Sequence, residues 1–527
     1  MAPDVGIYEQ HYELKNVDAA SDAVDVKLVY EVKDTTPVGS CTNITVNGRI
    51  TFQLGASYPC GTFVDGQPWI VAPAAGAIVA RITPDYASGR HGFEVNSATK
   101  ELPRGQGGCD GPSHPSTVTC DRTQLDDRIS DASGVYYFVP PTVTDPLPKT
   151  YPPGTSIYKA ISYTGPGDCV NGSGGAPART CVDYAAVLTI LGTPPPADAF
   201  RPPYSGTEKT LYRSSLVNVP GLPDLPLLST NQLTLDAARG IFGVNDPMHV
   251  SLHGWKAERL SPRFSAINVL GDQYPYGCQM GMANNAAILR VSQTATDAEK
   301  REIVLKLVQR GIDLFYSTKN GKDYTGPSYG GCVYPGVISL IKFSGHLLAG
   351  QPRADEMLAF MGGDEIANFY WSTTADDGAG GSGAGLWGDD SRACRTVRVG
   401  CGNDDVIAPS CDGLRDGGNC RFGPGCPSPC IPTEPQDSLT EIRATGLYTS
   451  ASYQHMSDVR EGSAAVGRIY NWDATPVWDD RGFFSYTDRW GTAPWNYYCT
   501  SHCLPYLREM HKQYGCNSPA CQAARGE

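Results

Sequence analysis

Over the first third of the chain, apolar and polar residues alternate in short runs. Residues 24–32, 44–52, 77–82, 134–139 and 185–191 are alternating or β-branched, and Gly, Pro, Asn and Asp turns separate them. That is the pattern of strands, and it predicts a β-sandwich-like region of one or two modules over residues 1–195. The prolines that follow, Pro194, Pro195 and Pro196 and then Pro202 and Pro203, fix φ and bar the residue before each from the helical region. Residues 196–230 therefore read as a Pro-rich linker or strap.

Beyond residue 230 the apolar period lengthens from two to nearly four. Thr296 and Glu299 form a capping box, and Val304, Val308, Ile312 and Phe315 follow at helical spacing until Asn320-Gly321, which predicts an amphipathic helix. Residues 282–291, 337–348 and 354–360 read as further helices, with connections short enough for antiparallel neighbours, and helical character returns at 463–470 and 504–514. Residues 376–435 break the pattern, with a Gly-rich run at 378–385 and six cysteines from Cys394 to Cys430. No repeat of fixed length is visible, which disfavours a solenoid. The predicted fold is multidomain β + α. A β-sandwich-like region precedes an incomplete α/α toroid of helical hairpins over residues 231–527, with a disulfide-rich inserted loop at 376–435.

Composition narrows the function classes. A chain of 527 residues is long enough for two to four domains. Its 59 glycines and 41 prolines, close to a fifth of the residues, indicate loop-rich globular structure. A net charge of −13 offers no global basic field for a phosphate backbone, so nucleic-acid binding is not expected. The longest uncharged runs, residues 69–80 and 184–191, fall short of the roughly eighteen apolar residues of a membrane helix; no membrane partner is expected. Met1-Ala2-Pro3-Asp4 has neither a basic nor an apolar leader, so any export signal is expected to lie outside this sequence.

Eighteen cysteines, many in close pairs, speak for local disulfide staples: Cys41/Cys60, Cys109/Cys120, Cys169/Cys181, Cys394/Cys401, Cys499/Cys503 and Cys516/Cys521. Zinc is the rival reading, but Cys411, Cys420, Cys426 and Cys430 are spaced by 8, 5 and 3 residues without CxxC knuckles or a nearby histidine. Disulfides on this scale place the chain in an oxidising compartment, extracellular or periplasmic. The sequons Asn43-Ile44-Thr45 and Asn171-Gly172-Ser173 suit secretion but are frequent by chance.

Three stretches carry a resemblance: residues 199–209, residues 308–314 and residues 478–490. They resemble a group of secreted bacterial proteins in which a β-sandwich precedes an α/α-toroid-like domain. That domain is similar in architecture to heparinase- and alginate-lyase-type polysaccharide lyases. The resemblance implies a polysaccharide substrate and elimination chemistry in a cleft of the helical domain. One lyase signature, Asn-Asn-His, is absent, since Ala286 follows Asn284-Asn285.

The residues themselves offer such chemistry. Elimination at a uronic acid needs a group to neutralise the carboxylate and a base to take the proton α to it. His249, His253, Trp255, Lys256, Arg263, Asp272, Tyr276, Asn284 and Asn285 supply those types within about forty residues; the plainer reading is a tyrosine-lined loop, with the asparagines in a polar groove between helices. Residues 322–335 form a Gly/Tyr-rich connection after the strongest helix. There Tyr329 and Tyr334 suit stacking on sugars or protonating a leaving oxygen, and Cys278 and Cys332 could bridge this loop to that of Tyr276; capping of the core is the structural alternative. His346, inside an apolar helix, reads as a core histidine, whereas His455, in a polar aromatic segment, suits an acid or base. Tyr276, Tyr329, His455 and His253 are thus the catalytic candidates. Asn284, Asn285, Trp255, Arg263, Tyr334 and Arg392 are the substrate-binding ones.

Other chemistries compete. Asp376-Asp377, Asp389-Asp390, Asp404-Asp405, Glu441 and Asp458 could supply the carboxylate pair of a glycosidase. Paired aspartates in Gly-rich loops are also turn residues or calcium ligands; residues 376–390 and 403–405 do not match an EF-hand. Calcium is the one ion left open, and no cofactor is required. His-Glu-x-x-His, Gly-x-Ser-x-Gly and phosphate-loop motifs are absent. The leading expectation is a secreted polysaccharide-active enzyme, lyase before hydrolase. A basic cleft gathering Lys256, Arg263, Arg290, Arg392 and Arg460 would reconcile an acidic polymer with the net charge. The rival from another class is a non-catalytic extracellular structural or appendage protein that self-associates, for which 18 cysteines and 28 tyrosines give shear and protease resistance.

Overall fold

The computed structural model describes residues 39–97, 124–127, 140–164, 182–241, 277–320, 330–360, 461–472 and 504–516, with backbone alone at 143–144, 240–241, 277–280 and 330–335. It adds the backbone of two strands near the N-terminus, β1 (Ile7–Leu14) and β2 (Val24–Glu31), which pair antiparallel with each other. The next eight strands are β3 (Gly39–Val46), β4 (Ile50–Thr62), β5 (Pro68–Val71), β6 (Ala77–Thr83), β7 (Phe93–Val95), β8 (Lys149–Tyr151), β9 (Thr155–Ser162) and β10 (Val182–Leu191). They form one sheet in the order β7-β9-β10-β5-β4-β6-β8, with β3 paired to β4. The ladders are antiparallel except for β10 on β5, where Thr189 stands opposite Trp69 and Ile190 opposite Ile70. The long strand β4 shares its length, pairing with β6 at residues 51–54 and with β5 at residues 60–62.

The sheet is mixed and curls into a half-barrel. This differs from the sandwich expected from the alternating runs, and β10 shows why. Its Tyr184, Ala186, Leu188 and Ile190 point into the half-barrel, where they pack with Phe52, Ile70, Val79 and Ile82. Its Ala185 and Val187, with Tyr158 and Ala160 of β9, point the other way and join the core of the helical region. A strand covered on both faces needs no polar face, and among the described residues the second layer is supplied by helices.

The principal helices are α1 (Leu235–Ile241), α2 (Gly277–Val291), α3 (Asp297–Lys319), α4 (Gly330–Leu347), α5 (Ala354–Leu358), α6 (residues 461–469) and α7 (Pro505–Met510). The last runs on into a π turn, His511–Gly515. Helix α3 begins at the capping box read from the sequence: the Glu299 amide donates to Thr296 Oγ1 at 3.3 Å and the Thr296 amide to Glu299 Oε2 at 2.9 Å. The described helices pack together behind the sheet; their closure into a toroid is not part of what the structure shows.

Residues 196–230 act as a strap rather than a spacer. Phe200, Tyr204, Tyr212, Val217, Val219 and Leu222 are buried in the same core as α2, α3 and α4, and Val64 and Ala199 share a backbone hydrogen bond that ties the strap to the sheet. Arg201 fastens the three parts. Its side chain is 0% exposed. Nε donates to Asp65 Oδ2 at 3.0 Å, Nη1 donates to Asp313 Oδ1 of α3 at 3.0 Å, and Nη2 donates to Asp313 Oδ2. Gln309 of α3 donates to the Arg201 carbonyl at 3.0 Å. Burial opposes the charge on Arg201, but the carboxylates of Asp313 and Asp65 outweigh it and hold the guanidinium above its usual pKa. Beside it, Lys209 donates to the carbonyls of Pro203 and Gly206 at 2.8 and 2.7 Å, and burial, with the Arg201 charge, pushes its ammonium down to about 7.

One disulfide links Cys41 of β3 to Cys60 of β4, as the spacing predicted, and Cys516 is also disulfide-bonded. Cys521, the expected partner of Cys516, and the remaining predicted pairs lie outside the described residues. The cross-links fit an oxidising, extracytoplasmic compartment.

Removing Arg201 would leave two facing carboxylates without their cation. Arg201→Met is expected to destabilise the protein by about 3–5 kcal/mol in urea unfolding. Adding Asp313→Asn should restore part of that loss; no restoration would show that packing rather than charge dominates.

Candidate functional site

The polar residues of the helical region converge in one layer across the bundle. Helices α2 and α4 run parallel. Gly336 lies so close to Gly281 that a Cβ on it would sit 2.2 Å from the Gly281 Cα, and farther along both helices reach the same ring, Ser292 through a 2.8 Å hydrogen bond to Tyr470 and Phe343 through an edge contact at 5.6 Å. Helix α3 runs antiparallel to α2, bringing Arg310 level with Asn284. Helix α6 lies along α2, with Gly462 against Asn285, and α7 packs on α6, with Leu507 against Gly462. The end of the bundle at which α2 and α4 begin is therefore the end at which α3 finishes.

Asn284 and Asn285 are both 0% exposed. The Asn285 amide donates to Ser463 Oγ at 2.9 Å, and the Asn284 amide reaches the Gly336 carbonyl at 3.5 Å while its oxygen accepts from Arg310 Nη1 at 3.5 Å. In these contacts the two asparagines tie α2 to α3, α4 and α6. Burial lowers the Arg310 pKa to about 9, against the attraction of Asp313. Glu461 and Ser463 of α6, with Arg508 of α7 and His511 of the π turn, complete the layer, all buried.

At the C-terminal end of α2 the polar side chains are bonded to one another. Tyr506 Oη donates to Gln293 Oε1 at 2.9 Å, Gln232 Nε2 donates to the same oxygen at 2.9 Å, and Gln293 Nε2 donates to the Pro226 carbonyl at 3.1 Å. Arg290, counted in the hoped-for basic cleft, is buried at this end, and burial lowers its pKa. His346 meets Tyr470 edge-on at 5.2 Å, and burial lowers its pKa. His346 is half-buried against that ring.

Tyr276, Tyr329, His253, His455, Trp255, Arg263 and Arg392 lie outside the described residues, as do Lys256, Arg460, Glu441, Asp458 and the paired aspartates. Tyr334 lies in the first turns of α4, where the backbone alone is described. Sequence reasoning missed Arg310, Glu461, Ser463, Arg508 and His511. Arg310 did leave a signal: Gln309, Arg310 and Asp313 interrupt the apolar stripe of the strongest helix beside Gly311, and two of the three are buried. Among the described residues no group of acidic, histidine or cysteine side chains has the arrangement of a metal site, and no helix is long and apolar enough to cross a membrane.

Comparison with protein-family profiles, with curated proteins and with solved structures finds no match.

The Gly281–Gly336 crossing sets how closely α2 and α4 begin together. Gly336→Ala forces backbone against backbone and is expected to cost about 1–3 kcal/mol. The check is the urea midpoint; an unchanged midpoint would show that the crossing is not close.

Proposed function

We propose that the chain is an exported polysaccharide-active enzyme that cleaves an acidic polymer by β-elimination at the end of the bundle where α2 and α4 begin. The observation that carries this reading is the parallel pairing of α2 and α4. Tyr276 immediately precedes α2 in sequence and Tyr329 immediately precedes α4, and these two tyrosines are the ones proposed for proton transfer. Arg310, which donates to Asn284 Oδ1 at 3.5 Å, is proposed to supply part of the positive field that an acidic polymer requires of a chain with a net charge of −13. The disulfides support export.

In this reading a base removes the proton α to the uronate carboxylate, and the electron pair forms the C4=C5 double bond as the C4–O bond breaks. The leaving oxygen then takes a proton. Tyr276, Tyr329, His253 and His455 are the groups proposed for the two proton transfers. Trp255, Arg263, Tyr334 and Arg392 are proposed to hold the polymer. The chemistry asks for no cofactor.

The test is incubation with uronate-containing and neutral polysaccharides, following the ultraviolet absorbance of unsaturated uronates together with reducing ends. Both signals should rise, and Tyr276→Phe or Tyr329→Phe should lower the rate by about a hundredfold or more in a folded protein. Reducing ends without absorbance would mean hydrolysis and turn attention to the paired aspartates. Silence on every polymer would favour the non-catalytic extracellular role.

A further inference from the structure

The C-terminal segment 504–516 packs along α6 through a seam that is close at every step. Leu507 lies against Gly462, where a Cβ would come within 3.1 Å of its Cδ2. Gly515 lies against Ala465, with only 2.6 Å between a Cβ built there and the Ala465 Cα, and Arg468 Nη1 donates to the Gly515 carbonyl. Cys516, the next residue, is disulfide-bonded. Apolar contacts and small residues thus account for most of the seam.

Its first turn is different. Glu461 is 2% exposed, Arg508 4% and His511 0%, and Glu461 Oε2 has no hydrogen-bond partner. An ionised carboxylate held there without that partner loses far more hydration than a neutral acid does. The charges that act on Glu461 come from the docked segment: Arg508, His511 and Lys512 attract its ionised form, and Glu509 opposes it. On the other side α2 presents the neutral Asn285 beside Gly462. Burial outweighs the attractions, so the carboxyl is raised above its ordinary 4.5.

The geometry points to Glu461, facing Arg508 and His511 across the α6 seam, as a pH-sensitive fastening that holds segment 504–516 firmly in acid and loosens it as the carboxyl ionises. Docking then favours the neutral acid, while the undocked carboxyl ionises near 4.5. The stabilisation is therefore complete below about pH 4.5 and falls as pH rises from there towards the raised value. Within that window each pH unit weakens docking by about tenfold.

The test is hydrogen–deuterium exchange of the full chain with its disulfides intact, read on the peptide spanning 504–516 and corrected for intrinsic exchange. In the wild type the protection of this peptide should fall with rising pH above 4.5, approaching tenfold per unit. In Glu461→Gln, which fixes the neutral form, protection should stay at its acid level throughout. The same pH dependence in Glu461→Gln, or a flat profile in the wild type, would overturn the proposal. A second measurement needs no variant: with carbon-13 in the glutamate carboxyls, one resonance of the wild-type protein should titrate above the others. If all of them titrate together, the proposal fails.

Discussion

Arg201 is the constraint on which the arrangement of this protein turns. A guanidinium 0% exposed is tolerable only where its charge is matched and its donors are used. Here the match comes from two directions, Asp65 beside the sheet and Asp313 on α3. Losing either carboxylate would leave a donor of the buried guanidinium without its acceptor. The strap between sheet and bundle is therefore held by charge as well as by the tyrosines and aliphatics around it. Because bidentate hydrogen bonding fixes direction as well as distance, the fastening specifies an orientation that apolar packing alone would leave less defined.

The helical side repeats the logic with neutral groups. Asn284 and Asn285 stand where α2 meets α3, α4 and α6, and each amide is used between helices. Apolar ridges set how near the helices lie, whereas the amides set their register. Such a layer gives the end of the bundle at which α2 and α4 begin a rigid floor, on which the proposed chemistry would depend for positioning.

Much of this was legible in the sequence where the signal is local. The capping box and apolar stripe of α3, the strand runs of β2, β6 and β10, and the Cys41–Cys60 pair each follow from residues near one another in the chain, whereas the run 44–52 spans the turn between β3 and β4. The half-barrel was not legible, since a strand buried on both faces looks the same in a sandwich, and the parallel contact of β10 with β5 joins residues some 120 positions apart. Arg201 fell inside a string singled out for its prolines, but its partners Asp65 and Asp313 are 136 and 112 residues away. The polar layer was half visible. Asn284-Asn285 stood out as a pair, whereas Glu461, Arg508 and His511 read as ordinary charged positions, because a polar residue on a helix announces a solvent face far more often than a buried seam.

The parallel ladder between β5 and β10 bears on how the chain reaches this state. Strand β5 has β4 on one side as soon as its own residues are present, but its other edge stays open until residues 189–191 arrive. The half-barrel is thus completed late, by a contact of high sequence separation, and such closures are slow. During that interval a growing or translocating chain exposes an apolar edge, Trp69-Ile70-Val71, able to pair with any strand that comes near. The Cys41–Cys60 cross-link, which lies wholly within the earlier part of the sheet, can hold the β3–β4 hairpin in register while the last strand is awaited.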